Sequence, residues 1–272
     1  YDFGRVNSGG TSIFSDHSVR PAIHLDLSSI DTANIYAGTV CSDGTVNEGK
    51  KEDTDNIASP LQKSGEFKFE TSLHKIVNTS GEDNKTAKYT YDYDENWFFT
   101  PSTTYQHELT KMSIRAAMAG YGVMDDPHSI DTNIKYLMVE TDKNSLEFTN
   151  YESSYPNPKT NTIGYAISSK NIKNGAGKTC SLLMVTVRGG GYMDEWGGNF
   201  DLGTKDEHQG FNEAALQVRD GIKKYVEKYK DKLPYELKVW ISGYSRGAAT
   251  TKRVAKMLDD GAVEGLTRDN IY

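Results

Sequence analysis

Cysteine is scarce in this chain: Cys41 and Cys180 are the only two in 272 residues. They are too few and too far apart for a disulfide framework, and neither stands in a CxxC pair or at metal-ligand spacing. A structural zinc site is thereby excluded, while the redox compartment and the pairing of these two residues stay open. Long apolar runs are also missing. No segment approaches the roughly 20 apolar residues that span a bilayer, so no transmembrane segment is expected. Tyr1 opens the chain without a methionine or a signal-peptide apolar region, and the start reads as a cut inside a longer precursor. Basic residues do not dominate: 31 Lys and Arg stand against 38 Asp and Glu, a net charge of -7, with no run long enough to make a phosphate-binding stripe. Nucleic acid is not an expected partner.

Signatures of cofactors and metals are lacking too. Gly177-Lys178-Thr179 ends like a phosphate-binding loop, but Ile172 stands where that loop needs its first glycine, and a strand rather than a helix follows. Asp194-Glu195 has no histidine at ligand spacing and reads as a solvated acidic pair. No cofactor and no metal are expected. What is plentiful is Tyr, Asn, Thr, Asp and Gly, a composition suited to a solvated, extracellular or cell-surface protein. Asn78-Thr79-Ser80 and Asn84-Lys85-Thr86 have the form of glycosylation sequons, a triplet that recurs by chance.

Three regions follow from the pattern along the chain. Residues 1–30 hold one alternating run, with Ile23, Leu25 and Leu27 separated by polar residues, which predicts a half-buried strand. Residues 31–95 are so rich in charged and hydroxyl residues that a polar linker, or at most edge hairpins at Phe67 to Phe69 and Tyr89 to Tyr93, is expected. From residue 96 the composition changes. Leu109, Met112, Ala116 and Ala119 have helical spacing and predict a helix over 105–121, capped by Thr103 or Thr104. Strands are predicted at Ile134 to Glu140, at Thr162 to Ser168 and at the nearly continuous apolar run Ser181 to Val187, the last a buried central strand. A helix over 212–229, a strand at Leu237 to Ile241 and a helix over 246–258 complete an alternation that points to a mostly parallel α/β sheet flanked by helices.

One motif carries chemistry. Gly243-Tyr244-Ser245-Arg246-Gly247 falls between that last strand and helix, the context a nucleophile elbow requires. Such a turn is so sharp that the serine is strained, and the residues two before and two after it must lack bulk, a demand that Gly243 and Gly247 meet. The N–H of Arg246 lies at a helix N-terminus, where it can face a developing oxyanion. Arg188-Gly189-Gly190-Gly191 follows the buried strand directly, and such a loop can present a second N–H to the same oxygen.

Val187-Arg188-Gly189-Gly190, Glu195-Trp196-Gly197-Gly198-Asn199-Phe200, His208-Gln209-Gly210-Phe211 and the serine elbow, in this order and spacing, resemble the class 3 lipases, and within them a bacterial lipase-like branch. The resemblance spans about 97–272 and is strongest over 181–258. It implies an α/β-hydrolase fold over 96–272 that acts on ester or lipid substrates. It also implies Ser245 as nucleophile and an oxyanion hole made by the backbone N–H groups of Gly190 and Arg246. Two departures stand out. Many members have Thr or Ser where Gly190 stands, and His-Ser-Leu where this chain has Tyr244-Ser245-Arg246. In the family the catalytic acid and histidine follow the serine; here Asp259, Asp260 and Asp269 follow it, but no histidine does. The domain is therefore expected to be incomplete at its C-terminus, its partner being the missing part of the same domain, with Asn270-Ile271-Tyr272 opening the next strand. Separately, the Val19-Arg20-Pro21-Ala22 run is similar to the closing strand of modules upstream in multidomain bacterial surface proteins, which implies that residues 1–30 are such a module's tail.

Of the histidines, His208 reads as a scaffold residue near a helix start, and His17, His24, His74, His107 and His128 earn no role. Three functional readings remain. The first is ester hydrolysis through an acyl-enzyme, the second a noncatalytic surface-binding module on a hydrolase scaffold, and the third a peptidase that shares the elbow.

Overall fold

The computed structural model describes residues 38–40, 46–48, 62–72, 86–123, 133–135, 137, 145–154, 159–190, 193–204 and 207–272. The strand expected near Ile23, the asparagines of both sequons and Cys41 lie outside them. The chain divides into Tyr1–Ile35 and Tyr36–Tyr272, and every described residue belongs to the second unit.

The strands, in chain order, are β1 (Gly38–Val40), β2 (Val46–Glu48), β3 (Gln62–Glu70), β4 (Thr86–Asp94), β5 (Thr149–Ser154), β6 (Tyr165–Lys173), β7 (Thr179–Val187) and β8 (Glu236–Gly243). The three long helices are α1 (His107–Tyr121), α2 (Gln209–Lys228) and α3 (Arg246–Met257). β5, β6, β7 and β8 form one sheet in that order, β3 pairs with β4, and β1 pairs with β2. This is a mixed α/β architecture.

The apolar run at Ser181 to Val187 is β7, buried from Cys180 to Val187. Successive side chains of a strand point to opposite faces. Leu182 and Met184 therefore enter one core, with α1, β3 and β4, while Leu183, Val185 and Val187 enter a second, with α2 and α3. A strand covered on both faces cannot show polar alternation, which is why its sequence is continuous.

The sheet is mixed, not mostly parallel: β5–β6 and β6–β7 are antiparallel, and only β7–β8 is parallel. The reason is local. β6 and β7 are joined by a tight turn in which Gly177, at φ 83, donates its N–H to Asn174 at 2.9 Å. A turn that short permits only a hairpin, whereas the α2 crossover between β7 and β8 permits a parallel pair. Gly177-Lys178-Thr179 is this hairpin turn. On the far side of β8, Ile271 bridges Val239 in parallel, with Tyr272 donating to Val239 at 2.7 Å and accepting from Ile241 at 2.9 Å.

Three further expectations are corrected. Where a strand was predicted at Ile134 to Glu140, residues 133–135 and 137 are helical; Ile134 and Leu137, both fully buried, are three apart, a helical spacing. The strand expected from Thr162 begins at Tyr165, because Thr162 closes a turn onto Lys159 at 3.1 Å. Gln106, not Thr103 or Thr104, caps α1, and its amide donates to Trp97 at 2.7 Å instead of to the helix.

Of the two readings of 62–94, polar linker or edge hairpins, the hairpin is what forms. The two alternating runs pair residue for residue as β3 and β4. Their inward residues suffice to join a core: Phe67 stacks on Tyr91 at 4.0 Å, and Tyr93 packs with Phe98 against Trp240.

A buried ion pair ties this hairpin to the sheet. Lys170 on β6 lies 2.5 Å from Glu95, with side-chain exposures of 13% and 5%. Burial raises the Glu95 carboxyl above the usual carboxylate range, and Lys170 opposes that shift. Lys170→Met is expected to cost about 2 kcal/mol near pH 7 by leaving a buried charge unpaired. Without the opposing cation the folded carboxyl titrates higher still, whereas the unfolded one titrates near its ordinary value of about 4.3. The folded state then holds more protons between those two values, so its stability falls as pH rises through that window. Urea midpoints at pH 7.5 and pH 5 should show the deficit shrinking at the lower pH.

Candidate active site: a strained serine at a strand-to-helix turn

β8 ends at Gly243 and α3 begins at Arg246, so Tyr244 and Ser245 alone reverse the chain. Ser245 has φ 52 and ψ -117, a region that residues with a Cβ rarely enter and that costs on the order of 1–3 kcal/mol. It is exposed. The glycines on either side are required by contact. A Cβ on Gly243 would stand 2.6 Å from the carbonyl of Gly247, and one on Gly247 would stand 2.4 Å from the carbonyl oxygen of Val187. The start of α3 thus packs directly on the end of β7.

Arg246 is the first residue of α3, so its N–H has no partner within the helix and sits at the positive end of the helix dipole. Its side chain is buried and donates to Asn199 Oδ1 at 3.0 Å, to the Gly210 carbonyl at 3.2 Å and to the Thr162 carbonyl at 3.4 Å. The guanidinium also lies 5.5 Å from the centre of the Phe211 ring. Burial holds its pKa below the usual arginine value, with Glu195 opposing that shift. A Cβ on Gly198 would meet this guanidinium at 2.7 Å, and one on Gly210 would meet the Gly198 carbonyl at 1.9 Å. The two glycine-containing motifs are therefore cut to the shape of Arg246, which fastens both loops to the head of α3. An arginine where the resemblance expects leucine is in this way a peg between loops.

The loop after β7 meets the elbow from the other side. Arg188 pairs with Glu195 at 2.7 Å, with side-chain exposures of 4% and 1%, so that carboxylate is spent on an internal cation. A Cβ on Gly189 would lie 2.9 Å from the Tyr244 carbonyl and 3.1 Å from the Tyr121 ring, so this position too must be glycine. At Gly190 the nearest neighbour of a Cβ would be the Trp196 ring, at 3.6 Å, an ordinary contact. The Gly190 carbonyl accepts from the Tyr121 hydroxyl at 3.4 Å.

Other candidate groups are already committed. His208 caps α2, its Nδ1 accepting from Phe211 at 3.4 Å while Nε2 stands 3.0 Å from the Asn199 carbonyl. The His107 ring meets the Tyr105 hydroxyl at 3.0 Å. Cys180 is free and buried, and burial pushes its thiol up to about 12, far from the thiolate a nucleophile needs. Beside the elbow, between α1 and α3, a cleft of about 270 Å³ runs along Ile241, Ser242 and Gly243, walled by Ile114, Met118 and Thr251. Among the described residues no helix is long and apolar enough to cross a membrane.

The fold brings the elbow and the Arg188-Gly189-Gly190 loop together at the ends of the neighbouring strands β8 and β7. Sequence reasoning missed Tyr121 and the Arg246 guanidinium. Tyr121 belongs to no motif, and nothing in the chain order signals that it meets Gly189. Comparison with family models, with curated proteins and with solved structures returns no match.

Proposed function

We propose that the protein is a serine hydrolase of carboxylic esters built on an α/β-hydrolase scaffold. The observation that carries this reading is the conformation of Ser245: exposed, at φ 52 and ψ -117, on a turn whose flanking glycines leave no room for a Cβ. Strain of this kind persists only where the surroundings impose it, and a polar, exposed side chain is what it displays here. In the proposed reaction the Ser245 Oγ attacks the ester carbonyl carbon and its proton passes to a general base. The N–H groups of Arg246 and Gly190 hold the tetrahedral oxyanion. The alcohol leaves with the proton, and water then cleaves the acyl-enzyme to release the acid. On the resemblance to class 3 lipases, the base and its orienting carboxylate are carried by strands and loops that follow the elbow.

The test is intact-mass detection of fluorophosphonate labelling on the full-length protein. One adduct per chain is expected, and none with Ser245→Ala. A folded protein that resists labelling would overturn the hydrolase reading. The second reading, a noncatalytic binding module on the same scaffold, is favoured by one observation: both described histidines have their rings engaged, His107 with Tyr105 and His208 with Asn199 and Phe211.

A further inference from the structure

We propose that the buried guanidinium of Arg246 is a fixed positive charge that stabilises negative charge developing at Ser245, an inference that rests on the ester-hydrolase reading above. The fit of this side chain between two loops explains the glycines around it, but not why it is charged. An apolar side chain of similar size would fill the space without the cost of burying a cation. The head of α3 therefore carries a charge that packing alone does not require.

No contact cancels that charge. Arg246 is 2% exposed, and its hydrogen bonds go to neutral acceptors: Asn199 Oδ1 and the Gly210 and Thr162 carbonyls. Glu195, the anion that acts on it, is itself bonded to Arg188 at 2.7 Å, so one positive charge is left over among these three ions. Asp201 and Glu213 accept from the nitrogen of the Asn161 amide at 2.6 and 2.8 Å, and only the oxygen of that amide borders Gly198 beside the guanidinium. Both carboxylates are half-buried, so solvent screens them more than it screens Arg246. His208, the other titratable group here, stacks on Phe211 with both ring nitrogens engaged. The charge is also close to the elbow. Six bonds of about 1.5 Å separate the Arg246 amide nitrogen from its guanidinium carbon, which holds the two within about 8 Å of each other in any rotamer. Arginine keeps its proton across the working pH range, and its charge adds to the positive end of the α3 dipole. At such a separation near a protein surface, a unit charge favours an anion on the order of tenfold.

The reporter is a thiol at the nucleophile position, Ser245→Cys in the full-length protein, with Arg246 kept or changed to Lys or Met. Its reaction with iodoacetamide, in which the thiolate sulfur bonds to carbon and iodide leaves, is followed against pH. With Arg246 in place the thiol is expected to titrate below the ordinary cysteine value of about 8.5. Rates are compared near pH 6.5, where a lysine is charged. Arg246→Met is expected to lower the rate about tenfold. Arg246→Lys, which keeps a charge but loses the planar fork that fastens the loops, is expected to lower it no more than about threefold. Equal losses in the two variants, or no loss with Met, overturn the proposal, because a merely structural peg fails alike in both. If Arg246→Met does not fold, Arg246→Gln, neutral but with donors kept, takes its place. In the Ser245 protein a fluorophosphonate probe reads the same effect: the Oγ bonds to phosphorus, its proton passes to the base and fluoride leaves. The maximal labelling rate is expected to fall in the same order, with the half-maximal probe concentration unchanged, since the charge acts on the transition state. A thiol that responds to Arg246 beside a labelling rate that does not also overturns the proposal. If the wild-type protein is not labelled, the hydrolase reading has failed instead, and the thiol alone decides whether the Arg246 charge acts at position 245.

Discussion

Replacing Gly247 with alanine is expected to cost about 4 kcal/mol of folding stability, whereas the same change at Gly190 costs less than about 1 kcal/mol. The two substitutions add the same methyl group to neighbouring loops of one site. They differ in what the methyl meets. At Gly247 it would lie 2.4 Å from the Val187 carbonyl oxygen and 2.8 Å from that of Arg188. Both are backbone atoms at the end of a strand held in the ladder on both sides. They cannot swing aside as a flexible side chain would, so α3 must lift from β7 and the packing of Val254 and Leu258 against Val185 and Val187 suffers with it. Overpacking a core usually costs 1–3 kcal/mol, and more where the obstacle is rigid. At Gly190 the methyl would meet the Trp196 ring at 3.6 Å, without overlap. Its backbone lies outside the left-handed region, so alanine there also restricts the unfolded chain, which offsets part of any loss. Urea unfolding of the two variants beside the wild type measures the contrast. Equal midpoints would mean that the elbow does not sit against β7 as described.

The elements that the sequence announces are those whose residues obey one local rule. β7 reads as a buried strand because both of its faces are apolar, and α2 because Ala215, Val218, Ile222 and Val226 recur at helical spacing, the first three of them buried. The elbow is recognisable because glycine, serine and glycine at fixed offsets are demanded by the turn itself. The features that escaped are set by contacts distant in the chain. At β3 and β4 the sequence left linker and edge hairpin both open, because every second residue is polar and exposed and their inward faces gain meaning only against Trp240, far along the sequence. The sheet's mixed direction depends on a hairpin at Gly177 that reads as an ordinary loop. The Arg246 guanidinium and Tyr121 lie outside the chemistry of any motif, yet the glycines at 198 and 189 are small because those side chains occupy the space.

Glu195→Ala is expected to destabilise the protein by about 3–5 kcal/mol, through charge rather than volume. Its carboxylate pairs with Arg188 at 2.7 Å, both side chains nearly inaccessible to water. It also acts on the buried Arg246 guanidinium, whose charge it favours against the cost of burial. Removing this anion therefore takes an ion pair from one buried cation and a favourable charge from another. Arginine does not shed its proton under such pressure. The protein must instead admit water or move the loops, and those loops carry Gly190 on one side and Asn199 on the other. Glu195→Leu combined with Arg188→Met, an apolar pair of similar size, should recover part of the loss, because paired removal spares both desolvation costs. Recovery should remain incomplete, since Arg246 still lacks its anion and keeps its bonds to Asn199, Gly210 and Thr162. Unfolding of the single and double variants forms the measurement. Full recovery in the double variant would mean that Glu195 serves Arg188 alone, and no recovery would place its main role at Arg246.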